Sequence, residues 1–213
     1  MPPANLAALV TPVIWPRGRE IHRVHLERYR PAEFNPGEAG NARFSPIRAA
    51  DEARIPTLYG GTSFDCAAME IVFHDVPFVP GLKIFDRQKL IDQRYSILAP
   101  GRDLLLADLS ATALRKLGIQ RNQLIDTEKD QYPRTRPWAE AIHAQCPTFD
   151  GLYWVSRQDD RAQAVMLFGD RVAEADLLVT AAPRDLLADR ELYADLLALA
   201  DRIGLLIVPG KAR

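Results

Sequence analysis

Several features that mark large classes of protein are scarce or absent in the sequence. Only 2 cysteines occur among 213 residues, too few for a disulfide-stabilised secreted domain, and Cys66 and Cys146 have no metal-ligand spacing. No apolar run approaches the roughly 18 residues that a membrane-spanning helix needs. Lys and Arg total 27 against 28 Asp and Glu, so the basic excess of a protein that binds nucleic acid through phosphates is missing. The chain is therefore not expected to enter a membrane or to bind DNA or RNA directly.

The same scarcity bears on location and on metal binding. Residues 1–16 carry no basic n-region, and Pro12 and Pro16 interrupt their apolar stretches, so they do not resemble a signal peptide. The two cysteines are expected to be reduced thiols. The 4 histidines lie in no zinc-site spacing. We expect a cytoplasmic protein with no bound metal and no prosthetic group.

Composition predicts one folded domain. Hydrophobic residues make up 47% of the chain and charged residues 26%, which is ordinary globular usage. A chain of this length most simply forms one domain, and no low-complexity linker divides it. We predict a single domain over residues 1–213, with a core at roughly 21–168 and a C-terminal strand–helix–strand extension at 175–210.

Local patterns predict the order of the elements. An irregular loop rich in Pro and Gly covers residues 30–40. Predicted strands lie at 57–59, 103–109, 150–156, 163–168, 177–180 and 205–208, and residues 150–168 form a predicted hairpin. Gly60 and Gly61 are expected to end the first of these strands. Predicted helices follow Ser63, run from Ser110 to Gly118, begin near Thr135, and pass through 192–203.

The order of these elements favours one fold class. Strands and helices are mixed without a regular βαβ alternation. We therefore predict an α+β domain with a mixed or antiparallel two-sheet core and flanking helices.

The helix after Ser63 carries the most informative polar residue, Glu70. Its apolar stripe faces one way, but Cys66, Met69 and Phe73 make the opposite side apolar as well. A carboxylate on an enclosed helix is costly unless a cation, a hydrogen-bond network or a substrate meets it. Glu70 is thus a candidate site residue, and the alternative is a structural pair with an Arg or with His74.

Two arginines are candidates for anion binding. Arg43 follows the irregular loop and stands between small and aromatic residues, and its guanidinium offers a planar fork for carboxylate or phosphate. Arg23 belongs to a basic stretch that can line a site for an anionic small molecule. The alternative is that both are ordinary surface or structural arginines.

Ser156 ends a predicted strand and shares a face with Trp154 by strand alternation. A serine in that place can orient a sugar hydroxyl, or it can be a satisfied strand-end hydroxyl. The sequence has no Gly-x-Ser-x-Gly nucleophile elbow. Gly60 and Gly61 also lack the companions of a phosphate-binding loop or a dinucleotide fingerprint.

These candidates occur in an order that resembles the RES domain family. The likeness rests, in chain order, on His-Arg-Val at 22–24, Ala-Arg-Phe-Ser-Pro at 42–46, Thr-Leu-Tyr-Gly-Gly at 57–61, Ala-Ala-Met-Glu at 67–70 with His74 following, and Asp-Gly-Leu-Tyr-Trp-Val-Ser-Arg at 150–157. The family is named for an Arg, a Glu and a Ser, which Arg43, Glu70 and Ser156 match. Tyr59 matches the family's aromatic after the Arg-Phe block.

The resemblance implies a fold similar to that of ADP-ribosyltransferases and a role as the toxin of a bacterial type II toxin–antitoxin pair. It implies that NAD⁺ is the substrate, cleaved at the nicotinamide–ribose bond by phosphorolysis or hydrolysis, with inorganic phosphate as a possible co-substrate. The implied partner is a helix-turn-helix antitoxin, which would make any contact with DNA indirect.

The resemblance also assigns roles, all expectations at this point. Arg43, Tyr59, Glu70 and Ser156 form the expected catalytic set, and Arg23 and Trp154 join Arg43, Tyr59 and Ser156 in substrate binding. Glu70 would stabilise the positive charge that develops on the ribose. Arg43, with Arg23, would bind the pyrophosphate or an incoming phosphate, Tyr59 would stack on nicotinamide, and Ser156 would orient the ribose or the amide. We expect Arg43 and Glu70 to face each other across a shared cavity.

Two other functions remain open from sequence. One is a mono-ADP-ribosyltransferase that modifies a cellular protein. The other is a non-enzymatic binding subunit in which Arg43 and Glu70 simply pair.

Overall fold

The computed structural model describes residues 1–37 and 40–210 and is an α+β domain, as predicted. Its strands are β1 (Thr11–Trp15), β2 (Ile21–Leu26), β3 (Ile47–Arg48), β4 (Arg54–Ile55), β5 (Thr57–Gly61), β6 (Lys83–Asp86), β7 (Gln93–Pro100), β8 (Leu104–Asp108), β9 (Gly151–Val155), β10 (Gln163–Phe168), β11 (Leu177–Val179), β12 (Arg184–Asp185) and β13 (Leu205–Val208). Its helices are α1 (Leu6–Leu9), α2 (Phe64–Ile71), α3 (Ala111–Lys116), α4 (Arg121–Leu124), α5 (Tyr132–Gln145) and α6 (Arg190–Arg202).

One curled, mostly antiparallel sheet forms the centre of the domain. Within the described chain its strand order is β1-β8-β9-β10-β5-β2-β7-β11, and β12 also pairs with β7. β8 and β9 run parallel, and the other neighbours in this sheet run antiparallel. The mixed sheet and flanking helices confirm the predicted fold class, and hydrogen bonds join its strands into one main sheet.

Both faces of this sheet are buried. Along β10, Met166 packs in one hydrophobic cluster with Trp154 and Ile142, whereas its neighbour Leu167 packs in another with Leu58. Successive side chains of a strand point to opposite faces, so β10 needs apolar residues on both of its faces. This explains why residues 164–168, which follow the partly exposed Gln163, are an apolar run rather than an alternating one.

Two small sheets complete the domain. β13 pairs in parallel with β6, and α6 packs beside this pair through a cluster that includes Leu196, Leu199 and Leu205. β3 and β4 form a short antiparallel pair. The C-terminal part of the described chain contains β11, the short β12, α6 and β13 in that order.

Several predicted boundaries differ from the structure. Gly60 and Gly61 do not end β5 but continue it, paired with β10. Helix α5 begins at Tyr132 rather than near Thr135, because Pro133 occupies its first turn and Pro137 lies inside it. Proline fits a first helical turn because that N–H has no helical partner. The irregular loop at 30–40 is present up to Gly37 and at Gly40, and its residues Glu38 and Ala39 lie outside the described residues.

β2 and β7, which the sequence patterns did not predict, are neighbours inside the sheet and pair along the full length of β2. Each of them buries polar side chains, His25 in β2 and Ser96 in β7, and the His25 Nε2 lies 2.8 Å from the Ser96 Oγ. Buried polar groups that satisfy each other interrupt the apolar pattern by which strands are predicted. No helix of the described chain has the length and apolar character that crossing a membrane requires.

Candidate active site

A cavity of about 230 Å³ opens where α2 lies against strands β5, β9 and β2. It is lined by Val24, Asn41, Ala42, Arg43, Tyr59, Gly60, Ala67, Glu70, Ile71, His74, Asp75, Lys129, Tyr132, Trp154 and Ala164. Ligand cavities are usually apolar with a few convergent polar groups. This lining has that character, since aromatic and small residues surround a handful of charged ones.

Helix α2 is fixed at its start by the local sequence. The Ser63 side chain accepts a hydrogen bond from the Cys66 N–H at 3.1 Å, which satisfies one of the free donors of the first turn. A Cβ on Gly61 would lie 2.4 Å from the Cys66 Sγ, so only glycine allows α2 to approach β5 this closely. The cap and the glycine together set where Glu70, near the end of the helix, meets the cavity.

Ser156 holds one oxygen of Glu70. Its hydroxyl is fully buried and donates to the Glu70 Oε1 at 2.7 Å. The Ser156 Oγ also accepts hydrogen bonds from the backbone N–H groups of Gln158 at 3.0 Å and Asp159 at 3.1 Å. Because those two donors fix the hydroxyl, its proton is directed at the carboxylate.

Arg43 lies beside the other oxygen of Glu70 but does not form a close ion pair with it. The Arg43 Nη1 is 3.9 Å from the Glu70 Oε2, and the Arg43 side chain is only 4% exposed. Its Nε and Nη2 are buried and have no hydrogen-bond partner among the described residues. Its Cζ lies 5.7 Å from the ring centroid of Tyr132, within cation–π range. A buried guanidinium with unused donors has a capacity for hydrogen bonding that an anion can satisfy.

Tyr59 and Trp154 form an aromatic wall of the cavity. Their ring centroids are 6.3 Å apart in an edge-to-face arrangement. The Tyr59 hydroxyl accepts a hydrogen bond from the Phe44 N–H at 3.2 Å and so ties the segment that carries Arg43 to β5. Burial raises the pKa of Tyr59 to about 12, which keeps the phenol neutral.

Arg23, in contrast, is not among the residues that line the cavity. Its neighbour Val24 lines it, and successive residues of β2 point to opposite faces of the sheet. The Arg23 Nη1 donates to the carbonyls of Pro31 at 2.6 Å and Glu33 at 2.8 Å. Burial lowers the pKa of Arg23 to about 10. Arg23 therefore stabilises the loop after β2 through these two hydrogen bonds. Its side chain does not reach the cavity where a substrate-binding role was expected for it.

Five further polar residues at the cavity were not among the predicted site residues. They are Asn41, His74, Asp75, Lys129 and Tyr132. By sequence His74 is an alternative partner for Glu70, but its Nε2 instead lies 2.5 Å from the Tyr132 hydroxyl. Tyr132 has no motif of its own, and Lys129 precedes α5 in an irregular segment, so only the fold brings them to the cavity.

The arrangement is suited to a ligand that has both an anionic and a cationic part. Arg43 offers unused donors to an anion, and Glu70, oriented by Ser156, offers a carboxylate oxygen to a positive centre. The aromatic wall of Tyr59 and Trp154 lies beside them. Within the low-dielectric interior such charges interact more strongly than they do in water.

Comparison with known protein families finds a match. A family model described as RES domain matches residues 20–191, which is most of the chain and includes every residue of the cavity lining. No curated protein matches the chain.

Proposed function

The chain belongs to the RES domain family, and from that premise we propose that it is an enzyme that cleaves the bond between nicotinamide and ribose in NAD⁺. RES domains are associated with the processing of NAD⁺, which sets the substrate class. The residues of the cavity supply the chemistry that this particular bond requires.

The observation that carries the proposal is that Arg43 lies beside Glu70 without a close hydrogen bond to it and with donors left unused. A pair that served only to stabilise the fold would be expected to have close, preferably bidentate, hydrogen bonds. Here the nearest approach is 3.9 Å, and two buried nitrogens of Arg43 have no partner among the residues described. This favours a binding role over the non-enzymatic pair.

Cleavage of the glycosidic bond builds positive charge on the ribose. The bonding electron pair leaves with nicotinamide, and the sugar becomes cationic, similar to an oxocarbenium ion. A carboxylate next to that centre stabilises the transition state more than the ground state. Glu70 has this role in our proposal, and Ser156 orients it through the 2.7 Å hydrogen bond.

The remaining residues would bind the ends of the substrate. The free donors of Arg43 suit the pyrophosphate, which is the anionic part of NAD⁺. Tyr59 and Trp154 would pack against nicotinamide. A cavity of about 230 Å³ is smaller than the roughly 300–1,000 Å³ of a typical ligand pocket, so we expect it to enclose the nicotinamide half while the adenosine half lies outside.

At the level of the cell, we propose that the protein is the toxin of a toxin–antitoxin pair and that a helix-turn-helix protein is its antitoxin. Depletion of NAD⁺ is toxic, so such an enzyme needs an inhibitor. The balanced charge of the chain agrees with DNA contact through a partner only. A fold related to ADP-ribosyltransferases is part of the same proposal.

The test is to incubate the purified protein with NAD⁺ carrying a label on its adenosine half and to separate the products. We expect free nicotinamide and a labelled small molecule, which is ADP-ribose in phosphate-free buffer and its phosphorylated form if phosphate is the acceptor. Label on a protein would instead identify a mono-ADP-ribosyltransferase. Intact NAD⁺ at every protein concentration would contradict the proposal.

A further inference from the structure

A chain of hydrogen bonds at the cavity plays no part in the function proposed above. The Tyr132 hydroxyl lies 2.5 Å from the His74 Nε2, and the His74 Nδ1 lies 3.0 Å from the Asp75 Oδ1. Lys129 donates to the other Asp75 oxygen, Oδ2, at 2.6 Å. All four side chains line the cavity that Glu70 and Arg43 also line.

The bonding partners assign the roles of the two imidazole nitrogens. Asp75 can only accept when it is ionised, so the His74 Nδ1 carries the proton and donates it to the carboxylate. The Nε2 is then a free lone pair and accepts the Tyr132 O–H. A carboxylate that orients an imidazole, which in turn accepts from a hydroxyl, is the arrangement by which proteins remove the proton of that hydroxyl.

Two segments of the protein hold these hydrogen-bonded side chains. His74 and Asp75 lie in the turn that follows α2. Tyr132 is the first residue of α5 and is 1% exposed. Since α2 carries Glu70, the proposed charge-stabilising group and the imidazole are separated by only one turn of chain.

We propose that Tyr132, His74 and Asp75 form a proton-accepting chain for the water molecule that attacks the ribose. This inference rests on the proposed cleavage of NAD⁺ and names the groups that activate its acceptor.

The step balances as follows. The water oxygen forms a bond to the ribose carbon, the carbon–nitrogen bond breaks, and its electron pair leaves with nicotinamide, which becomes neutral. The water proton passes to the Tyr132 oxygen while the Tyr132 proton passes to the His74 Nε2. Asp75 then faces an imidazolium, which later releases the proton to solvent. Tyr132 is the catalytic group that contacts the water, and Asp75 is a positioning residue.

Burial and the neighbouring charges determine whether Tyr132 and Asp75 are protonated. Burial raises the pKa of Tyr132, and Arg43, Glu70, Arg157 and Glu128 are the charged groups that face it. The phenol therefore stays protonated and transfers its proton only as it receives another. Burial would raise the pKa of Asp75, but hydrogen bonds from Lys129 and His74 outweigh it and lower that pKa, so the carboxylate stays ionised.

The test is the pH dependence of kcat in phosphate-free buffer, where water is the acceptor, between about pH 5 and about pH 8. The native protein should lose activity at low pH, because protonated His74 cannot accept. His74→Asn should lower kcat about 10²-fold and abolish this acid limb. Asp75→Asn should keep the acid limb but move it to lower pH, since it removes the negative charge that stabilises the imidazolium. Asp75 is mostly exposed, so this variant should fold.

The protein has a second His–Asp pair, away from the cavity, that serves as a matched control. The His143 Nε2 lies 2.8 Å from the Asp170 Oδ2, and His143→Asn should leave the acid limb in place. An acid limb that is unchanged in both His74→Asn and Asp75→Asn would overturn the proton-accepting chain while leaving NAD⁺ cleavage intact. A native protein that does not cleave NAD⁺ at any pH would overturn both.

Discussion

Ser156 links the stability of the protein to its proposed chemistry through a single oxygen atom. Its Oγ donates to Glu70 and accepts from two backbone N–H groups. Ser156→Ala leaves those donors without this acceptor, and an unsatisfied buried polar group costs about 1–3 kcal/mol. We therefore expect Ser156→Ala to lower the free energy of unfolding by about 1–3 kcal/mol, measured by urea denaturation.

The same variant should also slow NAD⁺ cleavage, because Glu70 loses the donor that orients it. Glu70→Gln separates the two effects, since an amide oxygen can still accept from Ser156 while the negative charge is gone. Equal stability of native protein and Ser156→Ala would show that the N–H groups of Gln158 and Asp159 find other partners, and the account of this hydroxyl would be wrong.

Arg43 gives a second prediction at this scale. Lysine keeps the positive charge but lacks the planar fork that binds phosphate oxygens in pairs. We expect Arg43→Lys to weaken NAD⁺ binding, seen as a rise in KM of about 10-fold, which corresponds to about 1.4 kcal/mol. Arg48→Lys, at an arginine that is half exposed and outside the cavity, should leave KM unchanged. An unchanged KM in Arg43→Lys would exclude recognition of the pyrophosphate by the guanidinium.

At the level of elements, the cap of α2 is a point where a small change can be isolated. Ser63 and Ser110 both precede helices, but only Ser63 accepts a side-chain cap hydrogen bond. Loss of such a cap costs about 0.5–2 kcal/mol. Ser63→Ala should lower the free energy of unfolding by that amount, and Ser110→Ala should change it by less. Thermal or urea denaturation of the two variants measures the difference, and equal losses would contradict the role given to the cap.

Close packing of β9 against β10 predicts a large difference in stability between two glycine-to-alanine variants, Gly151→Ala and Gly101→Ala. A Cβ on Gly151 would lie 2.1 Å from the backbone oxygen of Met166, whereas a Cβ on Gly101 would lie 3.5 Å from its nearest neighbour. Gly151→Ala must displace backbone, and overpacking of this kind costs about 1–3 kcal/mol or more. Gly101→Ala should be nearly neutral. A Gly151→Ala protein with the urea midpoint of the native protein would contradict the register of this hairpin.

Which elements could be predicted depended on whether a local signal decided them. α2 has a capping serine and a continuous apolar stripe, and the hairpin at 150–168 has two apolar runs separated by polar residues, so both were predicted with nearly correct bounds. β2 carries Arg23 and His25 inward. Its sequence therefore indicated a basic stretch rather than a central strand.

The candidate site divides in the same way. Arg43, Glu70 and Ser156 were found through motif order, and the fold brings all three together with Tyr59 and Trp154. Arg23 and Val24 are successive residues of β2 and point to opposite faces of the sheet, so only Val24 lines the cavity. This could not be predicted, because β2 itself was not predicted. Tyr132 and Lys129 reach the cavity only through contacts between α5 and distant strands, which a single sequence does not contain.

For the whole molecule, burial of histidines predicts how stability depends on pH. Burial lowers the pKa of both His22 and His25 in the folded protein, whereas in the unfolded chain they titrate near 6.5. The unfolded state therefore binds more protons below about pH 6.5, and the folded state is favoured above it. The contribution of these histidines to the free energy of unfolding should be greatest above about pH 6.5 and should fall as the pH drops towards about 5.

His25→Gln provides the check on this pH dependence. Urea denaturation at a series of pH values gives the slope of the unfolding free energy, and the slope should be shallower in His25→Gln than in the native protein. His22 still contributes in that variant, so part of the slope should remain. A slope that is the same in both proteins would mean that His25 takes up a proton as readily in the folded state as in the unfolded one.

The central claim is that Glu70 acts on a substrate rather than as a structural partner of Arg43. The measurement that tests it most directly is the rate of nicotinamide release from NAD⁺ by Glu70→Gln, compared at equal folded fraction with native protein and with Glu191→Gln, whose carboxylate is fully outside the cavity. The account predicts a loss of about 10²-fold or more for Glu70→Gln alone. Release at the native rate by Glu70→Gln would contradict it.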